Sequence, residues 1–272
     1  MIPASFTYRR ALSADEALEL AGQFGEDAKF LAGGHSLLPL MKLRLAVPEV
    51  LVDIGRVAEL SYIRDEGDHV AIGALTRHHD LEHSDVLGRE LPLLAFAAGQ
   101  VGDPQIRHRG TIGGSLAHGD PASDLPAVVL ALDATLVARG PDGERQIRAD
   151  EFFLGLFDTA LRPGELLTEI RVPRPAAAGW SFQKFTKRAI DWAIVGVAVQ
   201  GDAVALVNMA HAPMRAGAVE QALADGVSVR DAASRAAEGT RPPSDLGASS
   251  DFREHLARVL VARGLEEARS RA

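Results

Sequence analysis

Cysteine is absent from the 272 residues. That excludes a disulfide, a thiol nucleophile and any cysteine-held zinc ion or iron–sulfur cluster within the chain. No apolar run approaches the roughly 18 residues that span a bilayer, so no membrane span is expected. The opening stretch MIPASFTYRRALSADEALEL lacks the continuous apolar core of a secretory signal and turns directly into an amphipathic pattern, which points to a cytoplasmic protein. Basic residues are the minority, 29 against 37 acidic for a formal net charge of −8, so there is no electrostatic reason to expect nucleic-acid binding. Two tyrosines and two tryptophans supply few stacking platforms. What remains is a globular composition, 47% hydrophobic, long enough for two modest domains with a real core.

The pattern along the chain is mixed α and β. A serine precedes a helical period in SADEALELAGQFG, with Ala17, Leu18, Ala21 and Phe24 on one side, which predicts a helix from about Ala14 to Phe24. AKFLAGG reads as a short buried strand breaking into a glycine turn, and EVLVDIG as a second strand. DHVAIGAL predicts a strand, LPLLAFAAGQVG a helix, and ATLVARGPDGERQIRADEFF two strands around a Pro-Asp-Gly turn. Prolines, alanines and a glycine interrupt the pattern at RVPRPAAAGW, Arg171 to Trp180, and the domain boundary is expected there. Beyond it, AIVGVAVQGDAVALVNMA predicts two antiparallel strands across a Gly-Asp turn and SDFREHLARVLVARGLEEARS a terminal amphipathic helix, with EGTRPPSDLGASS as a polar loop between them.

Two segments combine glycine with small polar residues: LAGGHSLLP, from Leu31 to Pro39, and TIGGSLAHGDPASD, from Thr111 to Asp124. Backbone without a Cβ can approach a flat or anionic ligand closely, and two such segments can grip a long one. Each alone is more often an ordinary turn than a phosphate cradle. Asp124 is either a ligand acceptor or the N-cap of a helix starting near Leu125. Trp192, among apolar residues, reads as a core aromatic as readily as a ligand neighbour, and Lys184 as a solvated strand lysine. His79 and His83 are four apart with Asp80 between them, the spacing of metal ligands on one helix face; no third ligand is evident in the sequence and no metal site is expected. Gln105 to Arg109 is an anion patch or a surface loop paired with acids.

FLAGGHSLLPLMKLRLAVPEVLVDIGRVAEL, TIGGSLAHGDPASDLPAVVLAL and KFTKRAIDWAIVGVAV, followed by APMRAGAVEQAL and PPSDLGASSDFREHLARVLV, resemble the FAD-binding (medium) subunits of molybdenum hydroxylases, in particular those of the aerobic carbon monoxide dehydrogenase type. The resemblance covers nearly the whole chain. It implies an α+β protein: a two-subdomain FAD-binding fold of the PCMH, or vanillyl-alcohol-oxidase-like, kind over residues 1–175, with subdomains of about 1–57 and 58–175, then an α+β C-terminal domain over 176–272. By the same resemblance Ala32, Gly33, Gly34, His35 and Ser36 wrap the FAD pyrophosphate, and Thr111, Ile112, Gly113, Gly114 and Ser115 close on its other side. Asp124 meets the adenosine part, Leu167 and Lys184 match further contacts, and Trp192 lies near the isoalloxazine. His108 and Ser115 stand where asparagine is common in the family.

The implied role is electron relay. A molybdopterin large subunit oxidises the substrate, an iron–sulfur small subunit conducts electrons, and FAD on this chain passes them to an external acceptor, in a dimer of heterotrimers. The absence of cysteine fits that division of labour, and no residue is expected to act as a proton-transferring catalyst. Carbon monoxide is the first substrate the resemblance implies, ahead of N-heterocycles and aldehydes. Two further classes stay open on the residues alone: a self-standing FAD oxidase or dehydrogenase of the same fold, and a nucleotide-binding module without redox chemistry.

Overall fold

Ser13 opens the first helix as its position suggests, its hydroxyl accepting from the Glu16 N–H at 3.1 Å to cap α1 (Ala14–Phe24). The computed structural model describes residues 2–175 and 178–272. In it, α1 packs Ala14 and Ala17 against Val50 and Val52 of a parallel sheet built from β1 (Thr7–Arg10), β2 (Ala28–Leu31) and β3 (Val50–Asp53), in the order β1-β3-β2. Only β3, with a strand on each side, is buried. The strand expected to be buried, β2, is half-buried, and β1 is exposed along its length. The first glycine segment follows β2 and leads into α2 (Leu37–Lys42).

A five-stranded antiparallel sheet comes next. It contains β4 (Ile63–Asp65), β5 (His69–Gly73), β6 (Thr135–Gly140), β7 (Gly143–Arg148) and, after a small hairpin of β8 (Phe153–Gly155) and β9 (Asp158–Thr159), β10 (Leu166–Pro173). Its order is β4-β5-β10-β6-β7. The connection from β5 to β6 holds six helices: α3 (His78–Glu82), α4 (Asp85–Glu90), α5 (Pro92–Gly99), α6 (Pro104–Arg107), α7 (Ile112–His118) and α8 (Asp124–Ala131), with α9 (Ala149–Phe152) after β7. Apolar residues of α5, α7 and α8 fill one core with Ile72, Leu136 and Ile170 of the sheet.

The strand before the proline interruption, β10, runs through Arg171 and Val172 to Pro173, and the next strand begins at Trp180. The break is therefore narrower than Arg171 to Trp180. Proline can close a strand because it need donate no further ladder bond. The alanines at 176 and 177 in that stretch lie outside the described residues.

The last sheet orders β11 (Trp180–Phe185), β12 (Val195–Gln200), β13 (Ala203–Val207) and β14 (Met214–Arg215) in sequence. Its two faces divide the apolar residues by the period of two. Val195, Val197, Val199, Val204 and Leu206 pack with α10 (Gly217–Ala224), α11 (Val229–Ala233) and α12 (Ser250–Ser270), whereas Ala198, Ala205 and Val207 join the core of α5 and α8. This sheet is thus sandwiched, and its second face seals against the helices of the preceding segment. Among the described residues, no helix is long and apolar enough to cross a membrane.

Candidate functional site

The first glycine segment is pressed against a second stretch of backbone. A Cβ on Gly33 would overlap the Arg109 carbonyl oxygen and lie 2.9 Å from the Gly110 Cα. Gly34 has φ +80°, in the left-handed region, and its Cβ position is 2.9 Å from Leu38 Cδ1, so both positions require glycine for separate reasons. Among the described residues, the N–H groups of Gly33, Gly34, His35 and Ser36 have no hydrogen-bond partner. Ser36 sits at the N-cap of α2 without spending its hydroxyl there. The turn therefore presents a row of unspent donors, the chemistry that answers phosphate oxygens.

The second segment is built differently. It was expected as a glycine loop, but it is the first turns of α7: Thr111 caps the helix, its Oγ1 accepting from the Gly114 N–H at 3.1 Å. The N–H groups of Ile112, Gly113 and Ser115 donate to the Thr76, Ala74 and Thr111 carbonyls. These amides are spent, so the segment offers shape and not a second row of donors. Gly113 is a packing glycine, since a Cβ there would come 2.5 Å from the Ala74 Cβ. Gly114 differs: its Cβ position is 2.7 Å from Thr111 Oγ1 and 3.8 Å from the Ala32 Cβ, so it faces the first segment. Ile112 is fully buried and Ser115 half-buried.

Asp124 does not cap a helix. Ser123 holds the N-cap position, and Asp124 is the first residue of α8. Its Oδ2 accepts from Lys184 Nζ of β11 at 2.7 Å, and Lys184 also donates to the Gln100 carbonyl at 2.9 Å. Lys184 is accordingly no solvated strand lysine, with its side chain only 9% exposed. The second carboxylate oxygen, Oδ1, is buried with no partner. Burial pushes the Asp124 carboxyl up to about 6 against the downward pull of Lys184. An acceptor with a vacant lone pair next to a fixed cation suits a hydroxyl-bearing ligand.

The remaining expectations separate. Leu167 is buried in β10, its side chain committed to the central core at a bulge against β6. Its neighbour Thr168 accepts from the Ala74 N–H, and Ala74 in turn accepts from Gly113, which ties this strand to the start of α7. Trp192 is not a core aromatic: it lies on the connection between β11 and β12 and is 59% exposed. The base of that connection is held by buried Arg253, which donates to the Ile194 carbonyl and to Asp245. Two residues of the site carried no sequence signal. Arg77 donates to the Arg109 and Gly55 carbonyls, bracing the backbone behind Gly33. His78, buried beside Gly110 and near His35, is held down to about 4, chiefly by burial and then by His35.

Residues 4–175 match the family model described as the FAD binding domain in molybdopterin dehydrogenase, and residues 180–268 match the CO dehydrogenase flavoprotein C-terminal domain. The chain belongs to this flavoprotein family. The carbon monoxide dehydrogenase medium chain of Hydrogenophaga pseudoflava is 44% identical, over 100% of this chain and 99% of its own. The 6-hydroxypseudooxynicotine dehydrogenase complex subunit alpha of Paenarthrobacter nicotinovorans is 40% identical, over 100% and 97%. The solved structure of carbon monoxide dehydrogenase from Hydrogenophaga pseudoflava, in the form lacking the Mo-pyranopterin moiety of its molybdenum cofactor, contains a chain that superposes with a TM-score of 0.96 at 45% identity, covering both chains fully.

As a member of this family the chain is an FAD-dependent oxidoreductase subunit of the molybdenum hydroxylase type, with an FAD-binding domain followed by the flavoprotein C-terminal domain. Its residues fit that cofactor: the unspent amides around Gly34 suit a pyrophosphate, and the partnerless Oδ1 of Asp124 suits a ribose hydroxyl.

Proposed function

We propose that FAD lies in the cleft between the two glycine segments, and that the chain relays electrons through it from an iron–sulfur partner subunit to an external acceptor. In this reading Ala32, Gly33, Gly34, His35 and Ser36 bind the pyrophosphate, and Thr111 to Ser115 form the opposite wall, with Gly114 leaving room for the cofactor. Asp124 accepts from the adenosine ribose, and Lys184 holds Asp124 in place. Leu167 supports the wall from beneath, and Trp192 limits access to one face of the isoalloxazine. Bound FAD supplies a carrier that takes electrons singly and releases them as a pair. The protein's own part is to bind, orient and shield, and no side chain needs to move a proton. The functional division falls in the proline–alanine stretch after β10, with residues 1–175 forming the FAD-binding domain and 176–272 the C-terminal domain, which reaches back through Lys184 to complete the site.

The observation that carries this reading is the set of four unspent amides facing a helix start that has no side chain at Gly114. We further infer a cytoplasmic dimer of heterotrimers with an iron–sulfur small subunit and a molybdopterin large subunit, a reading supported by full-length relatives that are a carbon monoxide dehydrogenase medium chain and a dehydrogenase complex subunit alpha. Carbon monoxide is the substrate proposed for the complex, with an N-heterocycle as the alternative that the nicotine-derivative relative supports. Titration of the apoprotein with FAD tests the cleft. Gly114→Val puts a branched side chain where Thr111 Oγ1 is already 2.7 Å away, so FAD affinity should fall at least about a hundredfold while circular dichroism stays native-like. Undiminished affinity in a folded variant would remove the second segment from the site.

A further inference from the structure

Away from the glycine segments, the structure assembles a group of imidazoles that the sequence alone leaves incomplete. His79 and Glu82 of α3 and His83 at its C-cap each offer one ligand atom, and these atoms lie within 4.8 Å of one another. The spacing i, i+3, i+4 puts them on one helix face. Glu82 is the third ligand missing from the His79, Asp80, His83 pattern. A third imidazole comes from another element: the His108 ring, at the C-cap of α6, sits 4.0 Å from the His79 ring, which is in turn 4.3 Å from that of His83.

We propose that His79, Glu82 and His83, with His108 as a fourth ligand, form a binding site for a borderline divalent transition metal such as Zn2+. Imidazoles with a carboxylate select zinc, nickel or copper over calcium and magnesium, which take oxygen ligands. The outer contacts already orient the ligands. His83 Nδ1 is 2.9 Å from the His79 carbonyl, and donation there leaves the lone pair on Nε2. Glu82 Oε2, 3.8 Å from His83 Nδ1, accepts from Arg107 Nε at 2.8 Å, which fixes the carboxylate and leaves the second lone pair of that oxygen for the metal. Ligand atoms in a tetrahedral zinc site stand about 3.4 Å apart, from Zn–N distances of about 2.1 Å. Closing that difference requires the rings of His79, His83 and His108, none of them buried, to rotate toward the fixed carboxylate. An occupied site would clamp α3 to α6, whose next residues, Arg109 and Gly110, back onto Gly33. The site does not depend on the flavin reading, because none of its four residues is among those assigned to the cofactor.

The test uses the full chain with its cofactor, stripped with EDTA and titrated calorimetrically with ZnCl2. One zinc per chain should bind with micromolar affinity and raise the melting temperature. His79→Ala/His83→Ala should weaken binding at least about tenfold, while exposed His211→Ala should leave it unchanged. Cobalt provides a second readout independent of the variants, since Co2+ at this site should give the intense visible d–d bands of tetrahedral coordination, which zinc then displaces. Failure of the unaltered protein to bind zinc or to develop the cobalt spectrum would overturn the proposal. So would equal zinc affinity in the folded double variant.

Discussion

Asp124 and Lys184 show at residue scale how a buried charge can serve a ligand. A buried carboxylate with one oxygen paired and the other vacant is an unmet hydrogen-bond demand inside the protein. A donor arriving there gains a charge-assisted bond of about 1.5–3 kcal/mol, so Asp124→Asn should weaken FAD binding by roughly ten- to a hundredfold in apoprotein titration. An unchanged dissociation constant would place the ribose elsewhere. The pH dependence of the apoprotein separates this group from His78. The folded value for Asp124, about 6, lies above the ordinary carboxylate value of about 3.9. Its contribution to stability is therefore fully present below about pH 4 and lost as the pH rises through about 6. His78 runs the other way: its folded value of about 4 lies below the ordinary value of about 6.5, so its contribution is present above pH 6.5 and lost as the pH falls through about 4. Melting temperatures at pH 4.5 and pH 7 should show Asp124→Asn gaining on the unaltered protein as the pH rises, and His78→Gln gaining as it falls. Parallel curves would show that neither group titrates in that window.

Elements decide which of these residues meet. Arg253 of α12, fully buried, ties the start of β12 to the loop bearing Asp245 and so steadies the connection that carries Trp192. Arg253→Met leaves the Ile194 carbonyl without its side-chain donor, at a cost of about 1–3 kcal/mol, while half-exposed Asp245 keeps the Gly247 and Ala248 N–H groups, and trypsin should then cut faster after Lys187 or Arg188. Trp192→Ala, at an exposed position, should change stability by less than about 0.5 kcal/mol while altering flavin fluorescence or oxygen reactivity. A loss of stability with unchanged flavin spectra would detach Trp192 from the cofactor. Long periodic elements were legible in the sequence: α1 with its Ser13 cap, the alternating β12 and β13, and the long α12 all follow their patterns. Short or exposed ones were not. Helices such as α3 and α6, of five and four residues, are too brief to show a period, and β1, Thr-Tyr-Arg-Arg, has no apolar alternation because it is exposed throughout. Paired glycines hid the helical start of α7, since both are poor helix formers, although Gly113 is required there by close packing against Ala74. Asp124 and Lys184 could each be singled out, but their pairing depends on the C-terminal sheet docking against α5 and α8, which no local pattern encodes.

On the scale of the whole molecule, the absence of cysteine and the location of the site have the same consequence. The chain can hold a flavin but has no ligands for an iron–sulfur cluster, so as an electron relay it depends on partners for reduction. The C-terminal sheet seals one face against α5 and α8, which keeps Lys184 in place and, in the proposed site, joins both matched family regions around the cofactor. The most direct test is an anaerobic flavin spectrum of the purified chain, recorded with carbon monoxide, an N-heterocycle and an aldehyde, before and after the iron–sulfur and molybdopterin subunits are restored. One FAD per chain should be present, none of the three compounds should bleach it in the lone chain, and one of them should bleach it rapidly in the restored complex. Rapid substrate-driven bleaching in the lone chain would contradict the relay and make the protein a self-standing flavin dehydrogenase.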